Sequence, residues 1–454
     1  MKKINEFLKN HIFSVGVNLP FILGLGLVLR LISINQSLWL DEATTGIVAR
    51  MSFANFFTNF LPGDFHPPLY YLIIKIWAMV FGTSEIALRL PSVIFGVATV
   101  YVVYKISKNY YAPLLVATSG LLIYYSQEAR MYSLITLLVA LAVYLFTTKK
   151  WVWFSIAILL LGMTDYVGLF VLPVIWILTE RKDLKKLVLS HIPLLTFFVL
   201  WMPIFISQFW VGEMVTGSAW WKLLGVTSFK NVMLIPVKFV LGRISFENFY
   251  LYSIVASTVL SLFGYLIYRG IQNHDVLRPP LKGDSRKVIV GWLLLPIIIG
   301  ILISFKIPTL TYFRYLFCLP ALYILVAQGV LQLGKFKNVV FTVVLAINLF
   351  SSIYYLTNTS FQREDWRGLA KLIGNTTIIL PANSQREALI YYNKGDQAVY
   401  YKYYEGTNKE IWLSRYVWQI FDSQDFARQK IENLGYNKEF EANFNGIEFW
   451  KYTK

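Results

Sequence analysis

The chain has 454 residues, of which 56% are hydrophobic, 17% aromatic and 15% charged, and its mean hydropathy is +0.54. A soluble globular protein carries about 25% charged residues, so this composition excludes an ordinary soluble enzyme and indicates an integral membrane protein. The net charge of +17 does not require nucleic acid as a partner, because lysine and arginine also gather in the cytoplasmic loops of membrane proteins. The single cysteine, Cys318, allows neither an internal disulfide nor a cysteine metal site.

Apolar segments recur along residues 1–356. A helix needs about 20 apolar residues to cross about 30 Å of hydrocarbon. On this basis we predict about eleven transmembrane helices, at 12–33, 86–104, 111–125, 131–148, 151–165, 166–179, 191–208, 249–268, 288–304, 315–331 and 338–356. With a cytoplasmic N-terminus, every strong basic cluster then falls on the cytoplasmic side. The sequence therefore predicts a multispan domain in the cell membrane, with the lipid bilayer as a partner and no nucleic acid.

Two other segments differ from these spans. Residues 34–85 form a long first external loop, in which "IVARMSFANFFTNFL" has the spacing of a helix lying in the membrane interface. Residues 357–454 are more polar: "TTIILPANS", "KEFEAN" and "GIEFWKY" are typical of strands, and "SQREALIYYN" and "DFARQKIENLGY" of helices. This tail predicts a small external α/β domain. The fold class is therefore an α-helical polytopic membrane protein with a C-terminal external α/β domain.

Two adjacent acids, Asp41 and Glu42, follow the first span in "SLWLDEA". Acidic side chains suit the free N–H groups and the dipole at a helix N-terminus, so the pair is typical of a helix start. A carboxylate at the interface can also take a proton from a hydroxyl nucleophile as a general base. The two interpretations are compatible, since a helix end holds a base rigidly.

Further charged residues of the predicted external side come from separate parts of the chain. Asp64 and His66 lie in "GDFHPPLYY", which is typical of a plain turn but places an acid and an imidazole near the same face. Glu128 and Arg130 lie in "YYSQEARMYSL" between two apolar spans. They form either a connector with an internal ion pair, or functional charges of the kind expected where charge is costly. We take all four as candidates for the donor or acceptor site.

Asp165 and Arg314 complete the set. Asp165 is a single acid at the tip of the hairpin "GMTDYVG", and Arg314 lies at the outer end of a span in "TYFRYLF". An arginine fork fits phosphate oxygens, although a snorkelling arginine would occupy the same place. A divalent metal ion is a further option, with His66, Glu128 and Asp165 as loose candidate ligands. The sequence has no Walker loop and no GxGxxG after a strand, so no nucleotide cofactor is expected.

The order of "LWLDEA", "HPPLYY", "FGTSEIALRLPSVIFG" and "YSQEARMYSL", followed by "RYLFCLPALYILVAQG" and "REDWRGLAKLI", resembles a known family. It is similar to the GT-C glycosyltransferases, among the bacterial relatives of protein O-mannosyltransferases and aminoarabinose lipid A transferases. The resemblance implies a GT-C fold and an enzyme that uses a polyprenyl-phosphate-linked sugar on the extracytoplasmic face. It places Asp41 at the position of the family's catalytic acid, Glu42 at the second acid, and His66 in the HPP element.

On this resemblance, Asp41 would deprotonate an acceptor hydroxyl, and Arg314, with Arg130, would stabilise the departing phosphate. A single displacement predicts inversion at the anomeric carbon. The transferred sugar, a hexose or a pentose, stays open, as does the acceptor, which could be a protein, a lipid or a glycan. The alternatives are a secondary transporter, which would show paired halves with broken helices at the midplane, or a membrane scaffold with an external binding tail.

Overall fold

The computed structural model describes residues 18–215, 225–272 and 285–454. Residues 1–17, which carry the basic N-terminus used to predict the orientation, lie outside the described residues. The same is true of most of the basic segment 269–287. The described ranges are mainly helical, with one small sheet near the C-terminus. The predicted polytopic helical fold is therefore confirmed.

In the described ranges, the membrane part consists of consecutive helices, most of them separated by a few residues. Its α-helices are α1 (Leu19–Leu31), α2 (Leu40–Arg50), α3 (Leu69–Phe81), α4 (Glu85–Ser107), α5 (Tyr111–Thr118), α6 (Gly120–Ser126), α7 (Tyr132–Thr147), α8 (Trp151–Gly162), α9 (Leu172–Ile177), α10 (Leu184–Val215), α11 (Phe229–Leu241), α12 (Phe249–Gln272), α13 (Ser285–Ile303), α14 (Leu319–Leu331) and α15 (Lys337–Thr357). Between α2 and α3 the chain forms a helical turn at Phe53–Asn55, a π-helix at Phe56–Phe60 and a 3-10 turn at Leu61–Gly63. The predicted first external loop is thus largely helical.

Within the described ranges, 6 helical segments are long and apolar enough to cross a membrane. They are Glu85–Ser107, Arg181–Gly212, Phe249–Gln272, Arg286–Ile303, Tyr312–Leu331 and Gly334–Thr357. Five shorter apolar helices accompany them, at Leu19–Leu31, Leu69–Phe81, Tyr132–Thr147, Trp151–Gly162 and Val167–Ile177. The chain is a multi-pass membrane protein, and the number of eleven spans stays a prediction.

The structure breaks one predicted span. The segment 111–125 forms two helices, α5 and α6, because Ser119 between them has an extended backbone (φ −69°, ψ 118°). Ser352 bridges this break by donating from its hydroxyl to the Thr118 carbonyl at 2.6 Å. An unpaired carbonyl would be costly in an apolar environment, so the contact with α15 makes the break tolerable.

The helix α14 lies at the centre of the bundle, because 89% of the residues in its most apolar stretch are buried, against 22% for α12. The two helices pack closely through glycines. A Cβ atom on Gly329 would clash with the Leu266 carbonyl oxygen, and one on Gly270 would clash with the Leu325 carbonyl oxygen. Small residues at such crossings let helix backbones approach within a membrane.

The C-terminal part forms the predicted α/β unit around a five-stranded sheet of order β2-β1-β3-β5-β4. The strand β1 is parallel to β2 and β3, whereas β5 is antiparallel to β3 and β4. The predicted strands and both predicted helices of this segment are present. Its elements are α16 (Trp366–Ile373), β1 (Thr377–Leu380), α17 (Glu387–Tyr391), β2 (Ala398–Tyr400), β3 (Glu410–Ser414), α18 (Trp418–Phe421), α19 (Phe426–Asn433), β4 (Asn437–Phe444) and β5 (Ile447–Thr453).

The helix α17 docks this sheet unit onto α2. Gly46 of α2 leaves room for the Tyr391 ring, since a Cβ atom at Gly46 would lie 2.7 Å from two of its carbons. The Arg50 guanidinium lies 4.4 Å from the centre of the same ring. At the other end of α2, the Leu38 backbone N–H donates to the Tyr392 hydroxyl at 2.9 Å. The helix that carries Asp41 and Glu42 is therefore held between the membrane bundle and the C-terminal unit.

Candidate active site

The two adjacent acids of α2 point to different surroundings. Both lie in the first turn of the helix, where the dipole favours negative charge. The pair therefore does mark a helix start, which was one of the two interpretations of the sequence. Successive residues of an α-helix are rotated by about 100° from each other, so neighbouring side chains leave the axis in different directions. The Asp41 side chain is 46% exposed, whereas the Glu42 side chain is fully buried.

Glu42 is held by two hydrogen-bond donors and one further guanidinium, all from distant parts of the chain. Arg89 of α4 donates from Nε to Oε1 at 2.7 Å and from Nη2 to Oε2 at 2.5 Å. The Ala129 backbone N–H donates to Oε1 at 2.7 Å, and Arg363 Nε lies 3.1 Å from Oε2. Burial alone would raise the pKa of Glu42, but the two guanidiniums together hold it below its ordinary value. This geometry favours a positioning role for Glu42 over proton transfer.

Glu128 is the less satisfied acid of the same buried network. Arg363 Nη2 donates to its Oε2 at 3.1 Å, while its Oε1 has no hydrogen-bond partner among the described residues. Burial raises the pKa of Glu128 to about 7, against the opposing charge of Arg363. Arg363 belongs to the motif "REDW", but its distance in sequence gave no reason to pair it with either acid. The two buried acids therefore share one guanidinium.

Arg130 faces the exposed acid. Its Nη2 lies 3.8 Å from Oδ2 of Asp41, and its Nη1 donates to the Tyr71 hydroxyl at 3.2 Å. The Arg130 side chain is only 7% exposed, so Tyr71 fixes a largely buried guanidinium beside a solvent-accessible carboxylate. Glu128 and Arg130 thus have separate partners, Arg363 and Tyr71, in place of the connector ion pair that the sequence also allowed.

Asp64 and His66 form a turn at the edge of the same cluster. The His66 backbone N–H donates to Asp64 Oδ2 at 3.3 Å, and His66 Nδ1 lies 3.4 Å from the same oxygen. Burial would raise the pKa of Asp64, but the charges of His66 and Arg130 keep it below its ordinary value. Gln208 of α10 fixes the turn by donating to the carbonyls of His66 at 3.1 Å and Leu61 at 2.9 Å.

Asp165 has a local partner. Its Oδ1 accepts a hydrogen bond from the Val167 backbone N–H at 2.6 Å, which is the pattern of an Asx turn. Next to it, the Leu69 N–H donates to the Met163 carbonyl at 2.9 Å and joins this hairpin to α3. Among the residues that the structure describes, no group of three or more His, Cys, Asp or Glu side chains is placed to hold a metal ion. His66, Glu128 and Asp165 are therefore not brought together as a ligand set.

Arg314 is the predicted ligand of the donor phosphate. It lies in the 3-10 helix Tyr312–Cys318 and donates from Nη1 to the Pro308 carbonyl at 2.9 Å. Arg314 is thus oriented by a contact within its own segment, and its role as a phosphate ligand stays a prediction.

Arg243 is a site residue that the sequence did not single out. It donates from Nη1 to the Tyr312 hydroxyl at 2.9 Å, and its guanidinium lies 4.5 Å from the centre of the Tyr124 ring. The Arg363 guanidinium lies at the same distance from that ring. Stacking on an aromatic face holds arginine in a fixed orientation. In the sequence, Arg243 is one basic residue in a long external segment, with no motif to mark it.

The C-terminal unit adds two acids near Asp41. Glu364 accepts hydrogen bonds from Trp366 Nε1 and from the Tyr416 hydroxyl, both at 2.8 Å. Burial raises the pKa of Glu364 and of Glu387, and in each case the charge of Asp41 acts in the same direction. Asp41 therefore lies on a helix that also contacts the C-terminal unit.

Comparison with known proteins points to the family that the motifs suggested. Residues 65–210 match the family model described as dolichyl-phosphate-mannose-protein mannosyltransferase. The matched segment contains His66, Glu128, Arg130 and Asp165, and ends within α10. Residues 65–210 are thus similar to the protein mannosyltransferase family, which agrees with the relationship predicted from the motifs.

Two crystal structures of ArnT from Cupriavidus metallidurans are similar to the chain. The apo structure is 11% identical with a TM-score of 0.43, and the structure bound to undecaprenyl phosphate is 12% identical with a TM-score of 0.41. Each alignment covers 95% of this chain and 97% of the ArnT chain. No curated protein matches the chain significantly in sequence.

Proposed function

We propose that the protein transfers a sugar from a polyprenyl-phosphate donor to a hydroxyl acceptor on the extracytoplasmic face of the membrane, with inversion at the anomeric carbon. The family match supports the donor class, because its description names a dolichyl-phosphate sugar. One observation carries the assignment of the base: Asp41 is 46% exposed beside the buried Arg130, whereas the adjacent Glu42 is fully buried and engaged.

Asp41 acts as the general base. Its closest cation in the described structure, Arg130 Nη2, is 3.8 Å from Oδ2, which is longer than a hydrogen bond. The carboxylate therefore keeps oxygen lone pairs for an acceptor hydroxyl. The hydrogen bonds of Arg130 to Tyr71 and of Arg89 to Glu42 fix the start of α2 and leave the Asp41 carboxylate without a direct hydrogen bond from either arginine. A base in such a position contributes typically about 10²–10⁴-fold to the rate.

Arg243 and Arg314 hold the donor phosphate. Both are half-buried arginines, and each is oriented by a hydrogen bond to a neighbouring oxygen. Guanidiniums that are already oriented stabilise charge as it develops on a leaving group. Asp41 takes the hydroxyl proton, and the acceptor oxygen bonds to the anomeric carbon from the face opposite phosphate. The bond between that carbon and the phosphate oxygen breaks, and its electron pair leaves with the polyprenyl phosphate.

Basic residues at the far helix ends support an extracytoplasmic site. Arg89 of α4 contacts Glu42 near the start of that helix, while Lys105 lies in its last turn. A helix of 23 residues is about 35 Å long, close to the thickness of a bilayer core. Lys149 likewise follows the end of α7, where it pairs with Asp183 at 2.6 Å. The positive-inside rule places these ends in the cytoplasm and Asp41 outside, together with the C-terminal unit.

The test uses purified protein in detergent, radiolabelled polyprenyl-phosphate sugars and a membrane extract as acceptor. Asp41→Asn should lose about 10²-fold or more of the transfer rate while keeping the thermal stability of the wild type. Glu405→Gln, which changes an exposed acid of the C-terminal unit, should transfer at the wild-type rate. The one-bond C1–H1 coupling in NMR gives the anomeric configuration of donor and product, and opposite configurations report inversion.

Equal transfer by Asp41→Asn and wild type would exclude Asp41 as the base and leave it as part of a helix start. Failure of the wild type to transfer sugar from any polyprenyl donor would contradict the proposed function. A flux assay in proteoliposomes would then test the transporter alternative.

A further inference from the structure

The C-terminal unit contains a polar cleft. Its lining includes neither Arg243 nor Arg314, the proposed ligands of the donor phosphate. Its volume is about 550 Å³, and its lining comprises Asn383, Ser384, Arg386, Glu387, Ile390, Asn393, Gly395 and Asp396. Among these residues only Ile390 has a large apolar side chain. Most small-molecule pockets are lined mainly by apolar and aromatic groups. This lining instead offers amides, a hydroxyl, carboxylates and a guanidinium, which match a ligand rich in hydroxyls that both donate and accept.

Arg386 joins the two sides of the cleft. Its Nη2 donates to the Gly395 carbonyl at 2.9 Å. Its Nε is shielded from solvent and has no hydrogen-bond partner in the part of the chain that the structure describes. A shielded donor without a partner is costly. A ligand oxygen seated in the cleft is a group that could satisfy it.

Glu387 connects the cleft to the reacting carboxylate. Its side chain lines the cleft, and its charge interacts with that of Asp41. Its helix, α17, packs on α2 through Tyr391 over Gly46. One wall of the cleft is therefore formed by a helix, α17, that packs directly on the helix carrying Asp41. A second substrate that enters through the cleft would meet the donor at Asp41.

We propose that this cleft is the acceptor subsite and that it takes an uncharged saccharide chain, whose terminal hydroxyl it presents to Asp41. The proposal rests on the transferase function proposed above. Two carboxylates, Glu387 and Asp396, outnumber the one guanidinium of Arg386, so the lining disfavours a phosphorylated or otherwise anionic acceptor. The scarcity of apolar groups disfavours an acyl chain or an apolar peptide.

The test exploits the fact that the single cysteine, Cys318, is fully buried. Ser384→Cys places a reactive thiol in the cleft by exchanging one atom, and Ser423→Cys places one on an exposed part of the same unit outside the cleft. The labelling rate with a fluorescent maleimide is measured for the full chain in detergent. The probes are maltotetraose, mannotetraose and chitotetraose, with mannose 6-phosphate and a serine-rich peptide as the competing classes.

At least one neutral tetrasaccharide should slow the labelling of Ser384→Cys, by about tenfold at about ten times its Kd, and leave Ser423→Cys unchanged. Protection by none of them, or equal protection of both variants, would overturn the proposal. Protection by the phosphorylated sugar or the peptide instead would assign the cleft to another class and also overturn it. Labelling needs no turnover, so a protein that is protected but transfers no sugar would contradict only the transferase function.

Discussion

Replacing Arg363 by methionine tests whether the buried network holds the site together. The Arg363 side chain is 1% exposed and lies 3.1 Å from both Glu42 and Glu128, whose side chains are 0% and 1% exposed. Methionine keeps much of the length and removes the charge. Glu42 retains its two bonds to Arg89, so most of the loss falls on Glu128.

The expected loss of stability follows from burial. Removing one partner of a buried ion pair destabilises a protein by about 3–5 kcal/mol, because a charge is left without compensation. Arg367 provides the matched control. It lies four residues further on and pairs with Glu85 at 3.3 Å, but its side chain is 40% exposed. Exposed pairs contribute about 0–1 kcal/mol, so Arg367→Met should change stability little.

Thermal unfolding in detergent, followed by tryptophan fluorescence, measures both variants. A change of 1 kcal/mol shifts Tm by about 2–4 °C in a domain of about 150–250 residues, and by less in a longer chain. We therefore expect Arg363→Met to lower Tm by about 5 °C or more, and Arg367→Met by less than about 2 °C. Arg363 lowers the pKa of Glu128, so its removal lets Glu128 take up a proton more readily. The deficit of Arg363→Met should accordingly shrink as the pH falls from about 8 to about 6. Equal losses in the two variants, or a deficit independent of pH, would refute the reasoning.

Three further predictions concern single contacts of the site. Burial raises the pKa of Glu128 to about 7, so the folded protein binds the proton of this carboxyl more tightly than the unfolded chain does. The stability of the fold therefore falls as the pH rises from about 4.5 to about 7. Glu128→Gln should flatten that dependence in Tm scans, and an unchanged slope would contradict it. Arg243→Lys should raise the donor KM about tenfold or more, since lysine lacks the fork that binds phosphate and stacks on Tyr124; an unchanged KM in steady-state transfer assays would exclude Arg243 from the donor site. Gln208→Ala removes the bonds that hold the His66 turn, so the transfer rate should fall several-fold with Tm nearly kept, and full activity would show that the turn is fixed without it.

The sequence predicted the fold well where one local signal decides it. Apolar runs of span length predict helices because lipid leaves the backbone no other partner, and strand alternation in 437–453 predicts the closing hairpin of the sheet. It could not predict the break at Ser119, because the group that stabilises the break, Ser352, is 234 residues from the Thr118 carbonyl that it contacts. The packing of α17 on α2 is equally remote in sequence.

The residues of the candidate site were grouped because the predicted topology puts them on the same side of the membrane, and only partly because of motifs. Of the residues grouped in this way, Asp41 and Arg130 lie 3.8 Å apart, and the roles of the group stay predictions. The pairing of Glu42 and Glu128 with Arg363 could not be predicted, because it joins residues 235 or more positions apart. Arg243 was missed for a different reason: its role depends on the orientation given by Tyr124 and Tyr312, which sequence does not encode locally.

The contrast between Asp41 and Glu42 explains why a pair of acids is useful at this helix start. A base must be held in place and must also keep lone pairs free, and one carboxylate cannot do both well. Glu42 binds Arg89 at 2.5 Å and is fully buried, so it fixes the first turn of α2 against α4. Asp41 is the preceding residue, and its side chain leaves the helix about 100° away from that of Glu42. Its backbone is therefore fixed by the contacts of Glu42, while its own closest cation is 3.8 Å away. On this view Glu42→Gln should lower transfer by loosening α2, with a fall in Tm, whereas Asp41→Asn should lower transfer without one. A Glu42→Gln variant with reduced transfer and an unchanged Tm would show that Glu42 takes part in the chemistry itself.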